Sequence, residues 1–153
     1  MGPPLIGALM RIPVDAVLAR MLADLHAAGF TDLVPAHFAV LRYPGPENRR
    51  PSDLAAEVGM TRQAMNYLLG QLEQSGYLLR DDDPDDRRSR RIHLTDRGDA
   101  VGRTIRATVS DIESELAQEL GHEHFAELRE RLVELNASSF VRRHRSANNS
   151  RSA

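Results

Sequence analysis

Four side chains near the start of one predicted helix, Arg62, Gln63, Asn66 and Tyr67, carry the chemistry that stands out in this sequence. They lie at i, i+1, i+4 and i+5, so a helix brings them to one face within its first turn and a half. An arginine fork matches O6 and N7 of guanine, and a glutamine or asparagine amide pairs bidentately with adenine. Such a face suits the major groove of duplex DNA. On an isolated surface helix the same residues would simply be solvated, so the neighbouring chain has to decide between the two readings.

The next chemical feature follows directly. Tyr77-Leu78-Leu79-Arg80 and Arg91-Ile92-His93-Leu94 each read as a strand, joined by a turn from Asp82 to Arg90 with Pro84 at its tip. Asp86, Arg87, Arg88 and Arg90 fall in that turn, and arginines at a hairpin tip can enter a minor groove. Asp86 could hold a guanidinium, or the turn itself, by a charge-assisted bond. The alternative is a charged loop in which the arginines only neutralise Asp81, Asp82, Asp83 and Asp85. That aspartate run lacks the glycine and distal glutamate of a calcium-binding loop.

These two features need elements to hold them. Thr61 is the expected cap of the helix bearing the four polar residues, which should run to about Ser75 and stop at Gly76. Ser52 is the expected cap of a short helix from Asp53 to Val58, with Gly59 as the left-handed residue after it. Two helices separated by a short glycine-containing turn have the spacing of a helix-turn-helix, with Leu54, Val58, Met65, Leu68, Leu69 and Leu72 as its core. Upstream, Val14, Val17, Leu18, Met21, Leu22 and Leu25 mark one helical face over residues 14–28, which Pro13 should break or start and Gly29 should end. Another helix is predicted from Pro35 to about Tyr43, followed by an exposed loop from Pro44 to Pro51.

After the hairpin, Thr95 and Asp96 start a long helix in which Val101, Ile105, Val109, Ile112, Leu116 and Leu120 form a narrow stripe. Beyond Gly121, Phe125, Leu128, Leu132 and Leu135 continue it. The residues from Thr61 to Thr95 are too few to cover such seams, and a second copy of the chain is the expected partner. The predicted fold is mainly α with a small β-hairpin wing. It comprises one domain over residues 1–141, with a winged helix-turn-helix lobe at about 50–97, dimerisation helices at about 5–29 and 98–141, and a basic disordered tail at 142–153.

Composition sets the outer bounds. A chain of 153 residues with 41% apolar and 27% charged residues is long enough to build a core without staples, and with no cysteine it has no disulfide or thiol switch. The formal charge of −2 does not advertise nucleic-acid binding, but the charges are segregated. Residues 111–135 hold eight acidic side chains against two arginines, whereas Arg87, Arg88, Arg90 and Arg91 crowd together. All 20 basic residues are arginine. Near the N-terminus, Arg11 and Asp15 arrive too soon for a membrane span, and Ile6 stands where a myristoylation motif requires Ser or Thr. A cytoplasmic, unanchored protein is expected.

Taken in order, Leu54-Ala55, Gly59, Thr61, Leu68, Leu72-Glu73, Gly76-Tyr77-Leu78, Asp86-Arg87-Arg88, Leu94-Thr95 and Gly98 resemble the MarR family of bacterial transcriptional regulators. The resemblance implies a homodimeric winged-helix repressor with intertwined terminal helices, a recognition helix in the major groove, and Arg88 in the minor groove. It further implies a pseudo-palindromic duplex operator, and release from it when a small, often aromatic, effector enters a cleft beside the DNA-binding lobe. Asn66 and Tyr67 stand where Thr and Arg are frequent in the family, so specificity should depart from the relatives there. The candidate DNA contacts are thus Thr61, Arg62, Gln63, Asn66, Tyr67, Asp86, Arg87, Arg88 and Arg90.

His26 and His37 fall on helices that would border such a cleft and are candidate ligand contacts, weighed against partial burial with a satisfied hydrogen bond. His122 and His124 flank Glu123 without a further ligand in reach, so no metal is expected. No cofactor is implied, and no phosphate loop, nucleophile elbow or other catalytic constellation is present. With 5% aromatic residues, single-strand binding is disfavoured. The competing reading is a dimeric winged-helix interaction module that does not bind DNA, favoured by the net acidity and the aspartate run.

Overall fold

The computed structural model describes residues 4–83 and 86–144, and for residues 86–88 the backbone alone. Helix α1 spans Ile6–Ala27, so it starts earlier than Pro13 and runs through it. Proline there removes one backbone donor, and Pro13 lies on an exposed part of the helix. The apolar face predicted for residues 14–28 divides in two. Leu25 is buried and Met21 and Leu22 pack against the core, while Val14 and Leu18 are exposed along with Leu5, Ile6, Leu9 and Met10. The helix predicted from Pro35 is shorter and tighter than expected, a 3-10 turn at Pro35–His37 leading into α2 at Phe38–Leu41.

The helix-turn-helix is α3, Pro51–Val58, and α4, Arg62–Gln74. Ser52 does not cap α3. The helix begins at Pro51, whose fixed φ and missing donor suit the first position, and Arg50 precedes it with no capping side chain. Gly59 takes φ 74°, the left-handed conformation that lets the chain leave α3 and re-enter a helix within three residues. Thr61 does cap α4, its Oγ1 accepting from the N–H of Ala64 at 3.1 Å. Leu54, Met65, Leu68, Leu69 and Leu72 are buried in one cluster, with Val58 half-buried beside them.

Strands β1, Leu78–Asp83, and β2, Asp86–Leu94, pair antiparallel and are longer than the sequence suggests. The register sets Asp81 against Arg91 and Asp82 against Arg90, so the two ends of the expected turn, Asp82 and Arg90, are opposite charges paired across the ladder. Leu78 and Ile92 turn inward. The outer edge of β2 is also held, because Asn48 N–H donates to the Ile92 carbonyl at 2.7 Å and Ile92 N–H donates to the Arg49 carbonyl at 3.0 Å.

Helix α5, Asp96–Leu120, packs on α1 and is followed by α6, His122–Asn136. The helix-turn-helix and hairpin meet α5 at a tight junction. Thr95 Oγ1 donates to the Gly76 carbonyl at 2.6 Å and accepts from Gly98 N–H at 3.2 Å, and Thr95 N–H donates to the Tyr77 carbonyl at 3.1 Å. A β-carbon at Gly98 would be driven into that same Tyr77 carbonyl. Tyr77 also donates its phenolic proton to Asp32, while Arg97 reaches both and lies 4.5 Å above the Tyr77 ring. Helix α6 contributes no buried residue, and Leu128, Leu132 and Val133 remain exposed on it. Residues 142–144, placed by sequence in the tail, close a helical run from 139, and the rest of that tail lies outside the described residues. No helix among the described residues is long and apolar enough to cross a membrane.

Candidate nucleic-acid interface

Four buried side chains of α4, Met65, Leu68, Leu69 and Leu72, fix the rotation of that helix about its axis. The opposite face is therefore determined, and Arg62, Gln63, Asn66 and Tyr67 all lie exposed on it, Tyr67 to 67%. Thr61 sits at the same end with its oxygen engaged in the cap. The sequence placed these five residues together, and they are together.

Beside them an open groove of about 450 Å³ runs between the first turns of α3 and α4 and the wing, lined by Arg50, Pro51, Ser52, Arg62, Asn66, Arg80, Ser89 and Arg90. Four guanidinium groups thus border one groove in a chain of net charge −2. Arg80 is held by Glu73, its Nε donating to Oε2 at 3.0 Å. Those hydrogen bonds hold the Glu73 carboxyl below its ordinary value, against the opposing effect of burial. Arg62 forms no ion pair with any described residue and is available to a ligand. The sequence points to Arg62, Asn66 and Arg90, whereas Arg50, Ser52, Arg80 and Ser89 join them only through the fold. The Arg49-Arg50 pair in an exposed loop was the one visible signal for the first of these. Asp86, Arg87 and Arg88 belong to β2 by their backbone, and their side chains lie outside the described residues.

The wing is fastened to the helix-turn-helix by a carboxylate. Asp83 sits where the ladder is irregular, only 1% exposed, and accepts from Arg50 Nε at 2.7 Å, with Arg91 Nε 3.0 Å from its other oxygen. Arg91 also donates to the carbonyl and side-chain oxygens of Asn48. One aspartate of the run that could only neutralise the wing arginines is therefore an internal anchor.

A family profile described as the MarR family matches residues 31–89, from the α1–α2 loop through the helix-turn-helix and into the wing. That segment of the chain is similar to the MarR family. Among individual proteins, the chain is 34% identical over 86 residues to an uncharacterized HTH-type transcriptional regulator, YkoM, of Bacillus subtilis (strain 168). That match spans 54% of this chain and about half the length of the relative, 53%. Among solved structures, the transcriptional repressor CouR bound to a 23-mer DNA duplex superposes with a TM-score of 0.67 at 28% identity, covering 86% of this chain and 92% of CouR. The MarR family protein Rv2887 of Mycobacterium tuberculosis, in complex with salicylic acid, gives 0.63 at 25% identity, covering 87% and 97%. Streptococcus pneumoniae FabT in complex with DNA gives 0.72 at 21% identity over 86% and 93%, which speaks for the fold alone.

The MarR-like residues acquire a physical reason in the structure. Gly76, Tyr77, Leu94, Thr95 and Gly98 form a tight junction at which the helix-turn-helix and hairpin meet α5. The two histidines proposed for a ligand cleft both bond within the chain: the His26 ring lies 2.8 Å from the Leu33 carbonyl, and His37, buried, bonds to Val34 and Gln71. A cavity of about 370 Å³ lies instead between the loop at residues 43–47 and the start of α5, with Leu41, Val101, Ile105, Asp99 and Arg106 among its walls and neither histidine lining it.

Proposed function

We propose that this protein is a sequence-specific transcriptional regulator that binds double-stranded DNA as a homodimer in the cytoplasm and acts as a repressor. The observation that carries the reading is the exposed row Arg62, Gln63, Asn66 and Tyr67 set against a groove bordered by four arginines. Base-edge readers on a helix and cations along its flank are the two parts a duplex reader requires. The exposed apolar faces of α1 and α6 support a second copy as partner, and two recognition helices would read half-sites about one helical turn apart on a pseudo-palindrome. Thr61, Arg62, Gln63, Asn66, Tyr67 and Arg90, with Asp86, Arg87 and Arg88 at the wing, are the proposed contacts.

A mobility shift on the DNA upstream of the protein's own gene, at low and at high salt, tests this. A salt-sensitive shift at micromolar protein is expected. Its absence would favour the interaction module, whose support is the net charge of −2 and the aspartates beside the wing. Relief by a small organic effector is part of the proposal, supported by the cavity beside Arg106 and by the salicylic acid complex of Rv2887. Salicylic acid added to the shifted complex is the first compound to try, with release of DNA as the expected result.

A further inference from the structure

Tyr67 is tied into a hydrogen-bond chain that starts inside the protein. Its hydroxyl accepts from Gln71 Nε2 at 3.2 Å, and Gln71 Oε1 lies 3.2 Å from Nε2 of His37. His37 is only 6% exposed, and its Nδ1 accepts from the backbone N–H of Val34 at 3.2 Å. A backbone N–H can only donate, so Nδ1 presents a lone pair and the ring proton sits on Nε2. That proton is donated to Gln71 Oε1, which sets the amide with its oxygen toward the imidazole and its NH2 toward the phenol. The Tyr67 oxygen is thereby engaged as an acceptor, and its own proton is left to point away from the protein.

We infer that His37 and Gln71 are positioning residues that present Tyr67 as a hydrogen-bond donor to DNA, so that the base it meets must offer an acceptor on its major-groove edge. Purine N7, guanine O6 and thymine O4 satisfy that demand, whereas the amino groups of adenine and cytosine do not. With the amide reversed, Gln71 Oε1 would consume the phenolic proton and Tyr67 would face the groove with lone pairs alone. The direction of a buried imidazole's proton thus becomes a base preference at the surface. This inference rests on the duplex-reading function proposed above.

The test uses the full chain and duplexes selected from a randomised pool by the wild-type protein, Tyr67→Phe, Gln71→Met, Gln71→Glu and the Tyr67→Phe/Gln71→Met double variant, with melting temperatures as the check on folding. Tyr67→Phe and Gln71→Met should each bind the wild-type sequence about five- to tenfold more weakly, bind a scrambled duplex unchanged, and lose preference at the same base pair. The double variant should be no worse than Tyr67→Phe alone. Gln71→Glu offers only acceptors to the phenol, takes its proton, and should move the preference at that position toward an amino-bearing base, which a merely structural residue would not do. If Gln71→Met keeps every wild-type preference, loses affinity equally on scrambled duplex, or multiplies with Tyr67→Phe, the positioning role is overturned while the DNA reading stands. If the wild-type protein selects no sequence at all, the DNA reading itself falls.

Discussion

Asp83, at the end of β1, accepts a hydrogen bond from Nε of Arg50, the residue immediately before α3, at 2.7 Å. This contact joins the wing to the helix-turn-helix, so the reading helix and the hairpin keep one relative position. Replacing the carboxylate would leave Arg50 and Arg91 facing a buried hollow, but both guanidinium groups are partly exposed and can recover water. Asp83→Ala is therefore expected to cost about 1–3 kcal/mol in denaturant unfolding, the usual penalty for stranding a buried polar partner. It should also weaken operator binding by freeing the wing, which filter binding or anisotropy would report.

Gly98 has no room for a side chain. Its added β-carbon meets the Tyr77 carbonyl oxygen, backbone that cannot swing aside. Gly98→Ala should destabilise the chain by about 1–3 kcal/mol, the range for forcing a methyl into packed structure. Chemical denaturation measures it directly, and an unchanged midpoint would show that the junction yields.

Asp32 and Glu73 predict how stability follows pH. Burial opposes the charge on Asp32, but the bonds from Tyr77 and its own backbone and the nearby Arg97 outweigh it and leave the carboxyl below its ordinary 3.8. Glu73, held by Arg80, lies below its ordinary 4.5. A depressed carboxyl stabilises the fold fully above its unfolded value and loses that contribution as pH falls through the folded one. Asp32→Asn and Glu73→Gln should thus melt below the wild type near neutrality, and the gap should close as the pH is lowered beneath about 4. A gap that stays constant down that range would refute the assignment.

Asn66 and Arg90 should separate base reading from backbone attraction. Asn66→Ala is expected to weaken the selected operator by about 1–3 kcal/mol while sparing random duplex. Arg90→Ala should weaken both alike and reduce the salt slope by about one. Titrations on operator and scrambled duplex at several salt concentrations check the pair, and equal losses for Asn66→Ala on both duplexes would show that it reads no base.

What the sequence made legible was local. The cap at Thr61, the left-handed turn at Gly59 and the apolar spacing of α4 each depend on neighbours within one or two turns, and all three stand as expected. The strand ends are hidden because Asp82 and Arg90 look like turn residues until they are set across from each other. Pro13 was read as a boundary because a proline's effect depends on what surrounds it, and here it lies on an exposed part of the helix. The anchors were hidden for a simpler reason. Arg50 and Asp83 are 33 residues apart, His37 and Gln71 are 34, and Tyr77 and Asp32 are 45, and no spacing rule links residues so distant.

Helix α6 packs on α5 but has no buried residue. If its exposed leucines are covered only by a sister chain, the stability of this fold is set by mass action, and its melting temperature rises with protein concentration. A copy with a ruined reading helix but intact terminal helices would still find sound copies, pair with them, and withdraw them from the operator. Damage to the reader would then be dominant in a cell carrying both forms, whereas damage to α6 would be recessive.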